Sequence, residues 1–175
     1  TQPGVSIDLY EFEELEKRLS TCTELTEESQ RDYQRALSLY GGNLLQGSEE
    51  EWALSRSATL HASYLKLVYQ YLTLLKAAER YNEIIDVCRA ALDVDAFDET
   101  LHLQLMNALV KTCRNHEALM QYKHVTNLHF RYLGVQPPEG IQEFYKQIMQ
   151  AGDTLEMNID AIREELQEYG EVSGA

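Results

Sequence analysis

Apolar residues recur at helical spacing along most of the chain, and from Leu65 to Leu133 their pattern occurs twice in succession. Apolar positions in the first copy match apolar positions in the second, and the pairs are Tyr71 with Leu105, Leu72 with Met106, Leu75 with Leu109, Ile85 with Leu119 and Cys88 with Tyr122. One helical hairpin alone would leave an apolar face in water, and a second hairpin stacked on it buries that face. The pattern therefore predicts two stacked copies of one helical hairpin.

The spacing of these pairs is the period of the tetratricopeptide repeat, about 34 residues. If Leu65 and Glu99 open the two copies, the positions at which paired helices cross most closely are occupied by Ile84 and Ala118, and by Ala91 and Val125. We therefore expect an all-α fold of tetratricopeptide-like helical-hairpin repeats, a right-handed α-α superhelix.

Breaks in the apolar pattern predict where the helices lie. One uninterrupted helix runs from about Glu50 to Glu79, roughly 40 Å at 1.5 Å per residue. Others cover about 81–94, 116–133 and 139–152. Another helix lies between 81–94 and 116–133, and Asp98 is a suitable N-terminal cap for it. Val5, Ile7 and Leu9 alternate like the end of a strand, although Asp8 could instead cap a first helix.

The last predicted helix, from about 154 to 169, carries a narrow apolar seam at spacings of four and three: Leu155, Ile159, Ile162, Leu166 and Tyr169. Such a seam is typical of a coiled coil, but just over two heptads is short for one. Two interpretations stay open: the helix lies against the bundle, or it dimerises the chain or connects it to a following domain. We expect a domain over residues 1–150 and a helical connector over residues 151–175.

The charge of the chain excludes some classes of partner. Its formal net charge is −14, which repels nucleic-acid phosphate and anionic membrane. No run approaches the ~20 apolar residues of a membrane span. Three cysteines without framework spacing fit a reducing compartment. The chain begins at Thr1 without an initiator methionine, so we expect a piece of a longer cytoplasmic protein.

No arrangement of residues announces catalysis. The five histidines form no HExxH pair and no other metal-ligand spacing with cysteines or acids. Cys88 and Cys113 fall at hairpin-core positions, where we expect small buried hydrophobes. We predict no catalytic residue, no cofactor and no metal site, so the chain is not expected to be an enzyme.

Stacked helical hairpins generally bind partners on the concave face lined by the first helix of each repeat. Here that face predicts a candidate partner groove that could meet a carboxylate or an acidic peptide. Its residues are Lys66, Tyr69, Thr73, Lys76, Leu103, Asn107 and Lys111. The alternative is that these side chains are ordinary solvated positions or are covered by a neighbouring helix.

Several short segments are informative when they are taken in order along the chain. They are Asp8 with Phe12 and Leu15, Ala36–Leu45, Trp52 with Arg56 and Leu60, Asp95–Glu99, Leu105–Leu109, Glu117–Leu119 with Tyr122, Tyr132–Pro137, and Tyr145 with Ile148. Together they resemble the bacterial transcriptional activator domain of the antibiotic-regulatory-protein class of transcription regulators. The resemblance covers roughly residues 5 to 150, and Ala96 stands where that family often has proline.

The resemblance implies a helical domain that follows a winged-helix DNA-binding domain, which is absent from this chain. Such a domain assists activation through self-association, contact with the transcription machinery or neighbouring domains, or sensing. DNA would be bound only through the missing domain, and a homodimer is possible. The alternative function is a generic helical-repeat peptide-binding scaffold that has no part in transcription.

Overall fold

The computed structural model describes residues 3–41 and 51–152, which contain seven helices and no strand. The all-α prediction is confirmed, and the predicted limits 81–94 for the fourth helix are those observed. The helices are α1 (Pro3–Leu19), α2 (Glu27–Gly41), α3 (Glu51–Ala77), α4 (Tyr81–Val94), α5 (Glu99–Lys111), α6 (Asn115–Leu133) and α7 (139–152).

The strand-like interpretation of Val5, Ile7 and Leu9 is wrong, because all three lie inside α1. This helix begins at Pro3, and proline suits a first helical position because its missing N–H would have no partner there. Downstream, Phe12, Leu15 and Leu19 are buried along one stripe. Burial of this stripe, together with a suitable first residue, outweighs a short stretch of weak alternation.

The helices pack as successive antiparallel hairpins, α1 with α2, α3 with α4 and α5 with α6, and α4 packs on α5. One apolar core runs through these hairpins. A smaller cluster of Met106, Val125 and Ile141 joins α7 to α5 and α6. The four residues predicted at the helix crossings, Ile84, Ala91, Ala118 and Val125, are at most 2% exposed.

The turns within the two repeats have the same backbone structure. Glu79 and Cys113, which occupy equivalent positions of the two repeats, adopt left-handed φ values of 56° and 61°. The next residue in each turn donates its N–H back to the end of the preceding helix, from Arg80 to Leu75 O at 2.9 Å and from Arg114 to Leu109 O at 2.8 Å. These bonds close each helix with a Schellman motif. The turns therefore confirm the repeat period independently of the apolar pattern.

Cys113 is exposed, so the prediction that it is buried is wrong. The residue occupies the left-handed position of the α5–α6 turn, outside both helices. Cys88, in the middle of α4, is buried as predicted. Cys22, Cys88 and Cys113 are all free thiols.

The long helix α3 connects the N-terminal hairpin to the repeats. In its last third, Gln70 Nε2 donates to the backbone oxygen of Leu19, the last residue of α1 (2.9 Å), and to that of Cys22 in the loop after α1 (3.2 Å). Closer to its start, Arg56 forms an ion pair with Glu13 of α1. The apolar seam predicted from Leu155 to Tyr169 lies outside the described residues.

Candidate interaction groove

Two stacked tyrosine pairs join α2 to α3. Tyr33 and Tyr40 of α2 are separated by one heptad, as are Tyr64 and Tyr71 of α3. The Tyr33 and Tyr71 rings stack with centroids 4.7 Å apart and planes 7° apart, and the Tyr40 and Tyr64 rings stack at 4.4 Å and 19°. Tyr33, Tyr64 and Tyr71 are buried. Aromatic pairs stabilise a structure beyond their buried area, so this ladder fixes α2 against α3.

A groove of about 400 Å³ lies between α2 and α4, with Tyr64 and Tyr71 at its floor. Such a volume falls within the range of ~300–1,000 Å³ that is usual for ligand sites. At 1.5 Å per residue, the α4 wall is roughly 16 Å long. The walls are formed by Gln34, Leu37 and Ser38 of α2 and by Glu83, Asp86, Val87, Ala90 and Val94 of α4.

The charged groups that line this first groove are both acidic. Glu83 accepts from Arg80 of the α3–α4 turn at 2.5 Å and from Gln30 of α2 at 3.0 Å, which closes one end. Asp86 is exposed and forms no ion pair within the described residues; Arg114 is the cation with which it interacts at longer range. The first groove therefore has an apolar floor and a negatively charged rim.

The tyrosine hydroxyls at the floor stay neutral. Burial raises the pKa of Tyr64 to about 12, with smaller contributions from Tyr40 and Asp93. Burial also raises the pKa of Tyr71, and the nearby charge of Glu83 adds to that effect. The negative charge of the groove at neutral pH therefore comes from carboxylates at the rim.

A second groove of about 320 Å³ lies one repeat further on, between α4 and α6 above α5. Its lining is more polar and includes Arg89, His102, Gln121 and His124. The His102 ring is buried, with Nε2 2.9 Å from Ala96 O and Nδ1 2.9 Å from Gln121 Nε2. These partners favour the neutral tautomer that carries its hydrogen on Nε2, since the carbonyl can only accept. Burial lowers the pKa of His102; the hydrogen bond to Ala96 O opposes that effect, and the neighbouring His124 and His129 add to it.

In a comparison with known families, residues 7–149 match the bacterial transcriptional activator domain. The match covers most of the chain and agrees with the resemblance seen in the sequence. This chain belongs to that family. No curated protein matches it.

Within this activator domain, the residues of the predicted partner groove have different surroundings. Lys66, Thr73, Lys76 and Lys111 are exposed, whereas Leu103 is partly buried and packs against the cluster that contains Ile141 of α7. Asn107, one turn after Leu103, is also partly buried. The covering of Leu103 by α7 corresponds to the alternative considered for these residues, while partner binding at the exposed ones stays a prediction.

Tyr69, another of those residues, links α3 to the start of α5. Its hydroxyl donates to one carboxylate oxygen of Asp98. The other carboxylate oxygen accepts the N–H of Leu101 at 2.9 Å and caps α5, as predicted for Asp98. Thr73, one turn further along α3, donates to the carbonyl oxygen of Tyr69 at 2.9 Å. Tyr69 therefore holds two helices of the activator domain together.

The described parts of the activator domain give little support for a reactive thiol, a metal site or a membrane-spanning helix. Burial, with a smaller effect from Asp98, raises the pKa of the Cys88 thiol to about 12, so this thiol stays protonated and inert. Residues 3–41 and 51–152 contain no group of three side chains that could hold a metal ion. No helix in the same ranges is long and apolar enough to cross a membrane.

The first groove was missed by sequence reasoning because its walls come from α2 and α4, which are far apart along the chain. One signal could have indicated it. Tyrosines recur at a spacing of seven on α2 and again on α3, and matching spacings on two antiparallel helices favour a stacked ladder. Residues on either side of that ladder would then have been candidates for the groove.

Proposed function

We propose that residues 1–150 form a regulatory, non-enzymatic protein-interaction domain of a bacterial transcriptional activator. The domain works in the cytoplasm beside a winged-helix DNA-binding domain that lies outside this chain. The observation that carries the proposal is the family match over residues 7–149. Members of this family act in regulation rather than catalysis, which agrees with the lack of a catalytic arrangement in the sequence.

Charge supports a division of labour between the two domains. A chain with a net charge of −14 is repelled by DNA, so binding to the promoter requires another part of the protein. An open apolar groove on the acidic domain supports a role in contacting protein. Partners of this role are the transcription machinery, neighbouring domains of the same protein, or a second copy.

The proposal is tested by separating promoter binding from activation. In the full-length protein, residues 1–150 are deleted in frame, and promoter occupancy and transcript level are measured in the same cells. We expect occupancy to persist while the transcript falls at least tenfold. An unchanged transcript would contradict the proposal, and the absence of an upstream winged helix from the gene would favour the peptide-binding scaffold.

We further propose that residues 151–175 are a connector whose apolar seam, Leu155 to Tyr169, either dimerises the chain or lies against the bundle. Light scattering behind size exclusion distinguishes the two on residues 1–175 and on a version that ends at Gln150. A dimer that becomes a monomer on truncation supports pairing through the seam. Two monomers support local packing, and two dimers would place the interface in the helical hairpins.

A further inference from the structure

We infer that the groove between α2 and α4 binds one short helix of a protein partner, with an apolar stripe flanked by lysine or arginine. The inference rests on the proposed function and specifies the chemistry of the protein partner that this domain contacts. It concerns a different surface from the lysine-containing face predicted from the sequence. That face is expected to bind an acidic ligand, whereas the groove between α2 and α4 suits a basic one.

The shape of the groove fits a helix. On α4, Glu83, Val87, Ala90 and Val94 follow one another at spacings of four, three and four, so they lie on a single helical face. The floor is aromatic, and a small residue stands on each wall, Ser38 on α2 and Ala90 on α4. Amphipathic helices bind such grooves through apolar anchors at i, i+3 or i+4, and i+7.

The charge of the groove selects the kind of helix. Asp86 and Glu83 are its charged lining residues, and no lysine, arginine or histidine lines it within the described part of the chain. Arg80, which stands at one end, is already bonded to Glu83 and to Gln30 (2.8 Å). Opposite charge across an interface speeds association and rejects wrong partners. A second copy of this acidic chain would meet like charge, so a basic partner fits better.

The second groove does not share the combination of an apolar floor and acidic charges that the first groove has. It lies between the next pair of helices but is lined by Arg89, His102 and His124 beside Asp93. An apolar helix would have to cover the exposed side chains of Arg89 and His124 there, and removing such polar groups from water weakens binding. The partner helix is therefore expected in the first groove and not in the second.

The test measures binding of fluorescein-labelled peptides to the chain of residues 1–175 by fluorescence anisotropy. One peptide is an amidated helix of four turns with leucine at positions i, i+3, i+4 and i+7, lysine on the flanks and alanine elsewhere. The second carries glutamate in place of each lysine. We expect the lysine peptide to bind at least tenfold more tightly, with an affinity that falls as salt is added.

Two variants place the peptide in the groove. Ala90→Arg adds a long cation to the α4 wall and should weaken binding of the lysine peptide at least tenfold, and Ser38→Arg should do the same from the α2 wall. Both residues are exposed, so neither change disturbs the core. Ala151→Arg is the matched control, because Ala151 is exposed on α7, which packs against α5 and α6.

A charge-reversal pair tests the rim. Asp86→Lys should weaken binding of the lysine peptide about tenfold. Glu24→Lys changes the net charge by the same amount, but Glu24 is exposed in the loop before α2 and does not line the groove. A much smaller effect of Glu24→Lys would show that the local carboxylate, and not the overall charge, recognises the lysines.

Several results would overturn the inference: equal binding of the two peptides, no binding of either, or equal losses in Ala90→Arg and Ala151→Arg. A dimer of the unmodified chain that Ala90→Arg dissociates would assign the groove to a second copy instead. None of these results touches the proposed function, which is decided separately by promoter occupancy and transcript level.

Discussion

The two grooves occupy equivalent places in the repeat but differ in chemistry. Three lining positions of the first groove recur one repeat later in the second groove. Tyr71 of the first floor corresponds to Leu105 of the second. On the walls, Val87 corresponds to Gln121 and Ala90 to His124. The backbone of the repeat is preserved, as the paired turns at Glu79 and Cys113 show. The repeat period therefore determines where a groove forms, whereas substitutions at a few equivalent positions determine which ligand the groove can bind.

Deleting the buried side chain at the floor of a groove should destabilise the domain most. Tyr71→Ala deletes a buried ring that stacks on Tyr33 and should cost about 3–5 kcal/mol of unfolding free energy. Leu105→Ala, at the equivalent position, should cost about 2–5 kcal/mol. Urea denaturation followed by circular dichroism measures both. A loss below about 1 kcal/mol for Tyr71→Ala, far under the usual cost of deleting a buried ring, would show that the tyrosine ladder does not hold α2 against α3.

The second prediction concerns the helix crossing in the second repeat. Ala118 is fully buried where the first repeat has Ile84, so Ala118→Leu should overpack the crossing and cost about 1–3 kcal/mol. The matched control is Ala90→Leu, which adds the same atoms at an exposed position of α4. Equal melting temperatures of the two variants would contradict a close crossing at Ala118.

Two tyrosine-to-phenylalanine variants should differ in unfolding free energy by about 1 kcal/mol. Tyr69→Phe removes the hydroxyl that bonds Asp98 and should destabilise the domain by about 1 kcal/mol. Tyr33→Phe removes a buried hydroxyl whose polar neighbour within the described residues is the weakly bonding Cys22 thiol, so it should be neutral or slightly stabilising. Urea midpoints of the two variants, measured together, test the contrast. A clear loss in Tyr33→Phe would reveal a stronger partner for its hydroxyl.

The smallest effect is a pH dependence of stability that arises in the second groove. The fold lowers the pKa of His102 below its ordinary value of 6.5, mainly by burial. As the pH falls below 6.5, the unfolded chain therefore takes up this proton before the folded one, and stability decreases. Above that pH the ring is neutral in both the folded and the unfolded chain, so it does not make stability depend on pH. Melting temperatures between about pH 7.5 and 5 should fall less steeply in His102→Gln; an unchanged slope would count against the assignment.

How much of this could be predicted from the sequence depended on how local the cause was. Asp98 as a cap and α4 from Tyr81 to Val94 follow from neighbouring residues, and the prediction succeeded. The prediction that Cys113 is buried failed, because a periodic pattern does not show that the same position adopts a left-handed conformation in a turn. The first groove requires Leu37 of α2 and Val87 of α4 to lie on either side of Tyr64, and that arrangement is set by tertiary packing.

The placement of the three thiols has a consequence for handling the protein. Cys88 is buried and protonated, and Cys22 is partly covered, but Cys113 is exposed on the turn between α5 and α6. Air oxidation would therefore join two molecules through Cys113, and the covalent pair would resemble a native dimer on a sizing column. Association should be measured in reductant or with Cys113→Ser. The same exposure makes Cys113 a convenient attachment point for a maleimide dye.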